Sequence, residues 1–348
     1  MPFYVRMDSD PTFLPPTAAE RAAPALWDGW RPHPMIPLDG VLERQQFAPW
    51  LTAFMGLMLA FVLFQVVISP LAVFGLLALK GVSLATIAQD LSTLYAEESR
   101  TLLIANTIGQ VLGLAIPAWF FARLHTSAVA PFLRLRLPDV GLLGLSVIGL
   151  VALMPVVQWL GTLNEQIPLP EFWRSLEQSQ RDLIEQVLSG DLGLVFSLVV
   201  LALTPAICEE LLFRGYVQRQ AERSMGVWGG IVFTGIIFGL YHLRLSQLVP
   251  LSVLGVYLAY VTWRTGSLWP AVVLHLLNNG FAVVLASYVS ARPDLSMQDV
   301  EEFEVPLYAV VAGVALFGVI VRALHRRGRA LHAPPPSPDV RSSTLRAY

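Results

Sequence analysis

Residues 140–160 read VGLLGLSVIGLVALMPVVQWL, 21 residues without a charged side chain. A bilayer core of about 30 Å is crossed by roughly 20 apolar residues in a helix, so this stretch predicts a transmembrane helix. Further apolar runs cover 50–79, 101–122, 192–213, 227–243, 248–263, 268–290 and 305–322. The reading is an all-α polytopic membrane protein with eight spans. Composition agrees. The chain is 55% hydrophobic and 14% charged, where soluble domains carry roughly 25% charged residues. Mean hydropathy is +0.60. A soluble enzyme, a disordered chain and a nucleic-acid binder are excluded, the last because a net charge of -2 offers no basic face to phosphates. The single cysteine, Cys208, leaves no disulfide framework and no thiolate cluster for a metal.

Loop charges orient the spans, because Arg and Lys favour the cytoplasm. Arg123, Arg134 and Arg136 follow the second span; Arg214, Arg219 and Arg223 the fourth; Arg264 the sixth; Arg322, Arg326, Arg327 and Arg329 the eighth. Acidic stretches fall on the opposite side, including Glu171, Glu177, Asp182 and Glu185, then Asp294, Glu301 and Glu304. An even number of spans with both termini in the cytoplasm of a cell membrane fits this alternation. Trp50, Trp119, Trp159, Trp228, Trp263 and Trp269 lie near span ends, where indoles anchor helices at the interface. Pro70 is expected to bend or end the first span. Residues 1–47 and 325–348 read as Pro-rich cytoplasmic tails without fixed structure, the second basic. Residues 48–190 hold the first helices and a short outer interfacial helix at 171–188. Residues 191–290 form a core of four helices, and 291–324 an outer loop and the last span.

Charged groups at mid-membrane cost about 2.5–3.5 kcal/mol each on insertion scales, yet residues 204–279 hold Glu209, Glu210, Arg214, His242, His275, Asn278 and Asn279. Glu210 and Arg214 are spaced i,i+4, as are Phe238 and His242, and His275 and Asn279, so each pair shares a helix face. Pro205 leaves the carbonyl of Leu201 without its helical donor. The midpoint between Glu209 and His242 falls at Met225 and Gly226, so two antiparallel helices joined there set the pair opposite each other. Asn278 reads as an interhelical hydrogen-bonding residue, and Gly235 with Gly239 as a small-residue stripe for close packing. Cys208 reads as structural.

No H-E-x-x-H, no G-x-S-x-G and no Asp between 192 and 290 occur, and Lys80 is the only lysine. This removes the zinc-helix, serine-elbow, aspartyl-dyad and P-loop chemistries. A carboxylate, two imidazoles and a carboxamide remain. Such a set can hydrolyse an amide, with a Glu as general base on water and His and Asn donating to the oxyanion. Alternatively Glu209, His242 and His275 bind a metal, zinc being the candidate, that activates the water. A proton-coupled transporter or a non-catalytic scaffold would also use buried Glu and His.

Glu209-Glu210-x-x-x-Arg214, Phe238-x-x-x-His242 and His275-x-x-x-Asn279 resemble the three motifs of the CAAX-processing and bacteriocin-processing (CPBP) intramembrane proteases. The resemblance covers roughly 190–290. It implies an intramembrane endopeptidase acting on a membrane-associated or lipidated peptide or protein. Glu209 with His242 would activate the water, and His275 with Asn279 would hold the oxyanion. Glu210, Arg214 and Phe238 would support the site. The expected partners are the bilayer and that substrate, with no nucleic acid. Because the three metal-ligand candidates come from three helices, zinc is not expected to be held tightly in the resting site.

Overall fold

The computed structural model describes residues 25–26, 36–82, 97–175, 177–178, 192–292, 294 and 304–331. Within a bilayer every backbone N–H and C=O must be satisfied internally, which a helix does within its own segment. Among the described residues seven helices are long and apolar enough: α1 Pro49–Leu79, α2 Ser99–His125, α3 Val140–Glu165, α4 Leu194–Tyr241, α5 Leu245–Thr265, α6 Trp269–Ser290 and α7 Leu307–Leu331. Asp139 caps α3 by accepting from the Leu142 amide at 2.8 Å.

The count is seven rather than the expected eight because 192–213 and 227–243 form one run broken only at Gly226. That residue has φ 77° and ψ 170°, a conformation open to glycine and costly for other residues. The chain reverses there. Phe213 meets Phe238 with ring centroids 5.3 Å apart, and a Cβ on Gly230 would lie 2.7 Å from the Glu222 amide nitrogen. α4 is therefore a hairpin whose legs pair about the midpoint that the spacing of Glu209 and His242 indicates.

Pro70 does not end α1. It follows a widened π-helical turn, Val62–Ile68. Pro117 follows another at Val111–Ala115 and Pro205 a third at Val199–Leu203. In each case the proline stands two residues past the turn. A ring that lacks an N–H and would clash with the preceding turn is accommodated by loosening that turn.

The second leg of α4 packs tightly on α5, as the glycine stripe predicts. A Cβ on Gly235 would lie 2.5 Å from the Val256 nitrogen, and one on Gly255 2.8 Å from the Gly235 carbonyl. Gly235→Ala is expected to destabilise the protein by about 1–3 kcal/mol, as overpacking does. An unchanged thermal midpoint in detergent would show that the two helices can move apart.

Residues 36–47 correct the tail expectation. Ile36, Leu38 and Leu42 are buried in a core with Phe121, Phe132 and Tyr216. The Gly40 amide donates to the His125 carbonyl at 2.9 Å. The Glu43 carboxylate meets His125 Nδ1 at 2.6 Å and the Arg223 guanidinium at 2.7 and 2.9 Å. The charges scattered through this segment are thus the anchors of a docked strap, which composition alone reads as polar tail. At the other end α7 runs on to Leu331, so 325–331 is helical; 1–24, 27–35 and 332–348 lie outside the described residues.

Burial opposes ionisation of Glu43, but hydrogen bonds from His125 and Arg223 and the Arg223 charge outweigh it and hold its pKa at about 2. A depressed carboxylate pKa contributes stability above its unfolded value of 4.5 and loses it as pH falls toward 2. Glu43→Gln should therefore lower the melting temperature near neutral pH and flatten its fall in acid. Parallel melting curves for the two proteins across that window would argue against the assignment.

Candidate active site

The first leg of α4 carries two consecutive carboxylates. Neighbours on a helix point about 100° apart, and they face different partners. A second π-helical device, Leu211–Val217, follows them at once. This turn has no proline, and such turns recur at functional sites.

Glu210 and Arg214 have fully buried side chains, paired at 2.8 Å. The same oxygen, Glu210 Oε1, lies 2.8 Å from His275 Nδ1 on α6. Arg214 also donates to the Gly255 carbonyl at 3.1 Å, and its guanidinium carbon lies 4.2 Å above the Phe238 ring. An ionised carboxylate only accepts. His275 therefore donates from Nδ1, and its other nitrogen, Nε2, is left for the site. In neutral His275 that atom is an acceptor; in the imidazolium it is a donor whose charge Glu210 balances.

Glu209 faces the second leg. Its Oε2 stands 3.9 Å from His242 Nε2, too far for a direct hydrogen bond. His242 Nδ1 is 2.7 Å from the Phe238 carbonyl, which can only accept, so Nδ1 carries the proton. Neutral His242 then turns an acceptor nitrogen toward an acceptor oxygen, and Glu209 Oε2 is buried without a donor among the described residues. A water about 2.8 Å from each group, a normal hydrogen-bond length, can donate one proton to each and keep its lone pairs free.

Phe238 links the two halves. Its ring centroid is 4.7 Å from that of His242 and 5.8 Å from that of His275, edge-on to both. It keeps the imidazoles apart and bears the Arg214 charge on its face.

Asn279 donates to the Leu201 carbonyl at 3.3 Å, while Asn278 donates to Asn279 Oδ1 at 3.1 Å. Leu201 is the residue whose carbonyl Pro205 deprives of a helical partner. One N–H of Asn279 thus repairs the proline break, and its second N–H remains for other use. Asn278 also borders a polar cavity of about 230 Å³ with Gln158 and Gln247. Cys208 is buried in the core beside Leu212 and Phe213.

Among the described residues no three His, Cys, Asp or Glu side chains stand close enough together to hold a metal ion.

Two residues of the site region escaped the sequence reading. Glu177, nearly buried, accepts from the amides of Leu245 and Ser246 at 2.6 and 3.2 Å. Asn164 at the end of α3 donates to the Leu245 carbonyl at 2.9 Å and accepts from the Val249 amide at 2.8 Å. Both clamp the turn that begins directly after His242. No spacing rule flags them, because their partners are backbone groups far away in sequence. Residues 171–175 and 177–178 are helical, as the interfacial reading expects; 176 and 179–188 lie outside the described residues.

The paired carboxylates, the two separately oriented imidazoles and the carboxamide all fall within one matched segment. Residues 191–281 match the family model of type II CAAX prenyl endopeptidases, Rce1-like. The Rce1-like match covers about a quarter of the chain and holds all seven motif residues. It makes this segment that of a protease, a hydrolase, set in a multi-pass membrane protein and hence in contact with a bilayer and a membrane-associated substrate. No curated protein and no solved structure matches the chain.

Proposed function

We propose that the protein is an intramembrane endopeptidase that hydrolyses a peptide bond of a membrane-associated or lipidated substrate at Glu209, His242, His275 and Asn279. The observation that carries this reading is the pair of acceptors, Glu209 Oε2 and His242 Nε2, facing each other at 3.9 Å beside a second imidazole oriented by Glu210. Water held between Glu209 and His242 gives a proton to Glu209 as its oxygen attacks the scissile carbonyl carbon. The tetrahedral oxyanion is held by the Nε2–H of charged His275 and the free N–H of Asn279. Glu209 then passes the proton to the departing amine nitrogen, the C–N bond breaks, and the products are a carboxylic acid and an amine, which exchange the remaining proton to leave as carboxylate and ammonium. Glu210 supplies the counter-charge that lets His275 carry its proton in a buried place, and Arg214 holds that carboxylate in position. The Gly226 tip and both termini lie on the cytoplasmic side in this reading, which rests on the distribution of arginines.

The test is cleavage of a prenylated peptide and of its unlipidated counterpart by the full chain in vesicles, compared with Glu209→Ala, His242→Ala and His275→Ala. Wild-type turnover in all three variants overturns the enzyme reading, and proton or solute flux without cleavage would favour a transporter. Zinc is not held tightly in the resting site in this proposal, because its three ligand candidates are spread over separate helix segments. Elemental analysis of chelator-washed protein beside the cleavage assay decides this. One equivalent of zinc per chain, with activity lost on stripping and restored on re-addition, would refute it.

A further inference from the structure

Away from the catalytic residues, an apolar groove of about 450 Å³ runs between the second leg of α4, α5, α3 and α7. Ile231, Ile236, Val256, Leu153 and Phe317 line it along its length, and Trp228, Tyr260 and Val321 at one end. That end is built like an interface. Trp228 stacks on Tyr260 at 6.1 Å and leans on Trp263 at 5.6 Å, an amphipathic aromatic cluster at headgroup level. Arg264 lies 5.2 Å over the Trp263 ring.

The same end is positively charged. Along α7, His325 stands one turn and Arg329 two turns beyond Val321, continuing the side that faces the groove. Arg264 reaches the backbone carbonyls of Leu324 and His325 rather than a carboxylate, and Arg329 is near enough to oppose its charge. Arg322 and Arg326 are exposed on the same terminal turns. Arg327 is different, being paired with Asp139 at 2.8 Å. An apolar slot within the membrane, capped by aromatic rings and a surplus of guanidinium groups, has the form of an amphiphile with one anionic head and a hydrocarbon tail.

We infer that this groove binds a single anionic glycerophospholipid, one acyl chain lying between Ile236 and Phe317 and the phosphate facing the exposed Arg329. The charge complementarity selects an anionic lipid over the zwitterionic lipids that would otherwise touch any apolar helix face. The inference does not depend on peptidase activity.

The probe is quenching of Trp228 by chain-brominated lipids. Full-length protein is placed in vesicles of fixed total phosphatidylglycerol and phosphatidylcholine content, with the bromine carried by one lipid or the other. Subtracting the signal of Trp228→Phe isolates the groove indole. Brominated phosphatidylglycerol should quench that signal several-fold more effectively than brominated phosphatidylcholine at the same mole fraction. The exposed change Arg329→Gln should cut this preference about fivefold, the weight of one juxtamembrane arginine. Equal quenching by both lipids means ordinary contact with bulk bilayer and overturns the proposal. No quenching by either means that a second copy or another segment of the chain covers the groove, and overturns it equally.

Discussion

Glu209→Gln should reduce peptide cleavage by about 10²–10⁴-fold, the usual contribution of a positioned general base, while leaving the fold unchanged. The contrast between those two outcomes is what makes it informative. Glu209 Oε2 has no donor among the described residues, and the carboxylate meets His242 only at 3.9 Å. Removing its charge breaks no ion pair that holds helices together. Glutamine keeps the shape but turns one of the facing acceptors into an amide that cannot take a proton. The measurements are turnover in vesicles and the thermal midpoint of the same preparation. Retained turnover with an unchanged midpoint would remove Glu209 from the chemistry, whereas a collapsed midpoint would show a structural role that the geometry does not provide.

The largest effect on stability is expected at Arg214. Arg214→Met should destabilise the protein by about 3–5 kcal/mol, because it strands a buried carboxylate. Both partners have 0% exposed side chains and pair at 2.8 Å. The guanidinium also donates to the Gly255 carbonyl, so the change loosens α5 from α4 as well. The double variant Glu210→Gln/Arg214→Met should recover most of the loss, since an isolated charge is no longer buried. Cleavage should not recover with it. His275 can still donate to the amide oxygen of residue 210, but its imidazolium no longer has a counter-charge. A single variant that melts with the wild type would show that Glu210 takes up a proton or finds solvent instead. A double variant that is stable and fully active would show that the Glu210–His275 contact at 2.8 Å is packing alone.

Helical geometry made much of this site legible in the sequence. The i,i+4 pairing of Glu210 with Arg214 is local, so the period of the helix is enough to place it, and the structure has it at hydrogen-bond length. The hairpin of α4 was legible for the same reason. Rise per residue is constant, so equal distances from Gly226 bring Glu209 and His242 to one level. The glycine stripe at Gly235 and Gly239 marked a close helix approach because only a missing side chain lets two backbones meet. The seven-helix outcome differs from eight spans only where a single glycine makes a turn too short to separate two helices.

What the sequence by itself determined, then, is the all-α membrane class, the faces of the helices and the set of candidate site residues. The tertiary structure alone decided which face meets which. The Glu210–His275 contact joins residues 65 positions apart, the Asn279–Leu201 bond 78, and the Glu43–Arg223 pair 180. Helix period and rise say nothing about them, because both describe a helix about its own axis and leave its neighbours and rotation free. Those are set by packing among many helices at once. Only after that packing does Glu210 acquire His275 as a second partner and Asn279 repair the carbonyl freed by Pro205. The same packing turns a polar N-terminal segment into a strap, because the Glu43 carboxylate finds there the His125 imidazole and the Arg223 guanidinium, whose hydrogen bonds offset its burial.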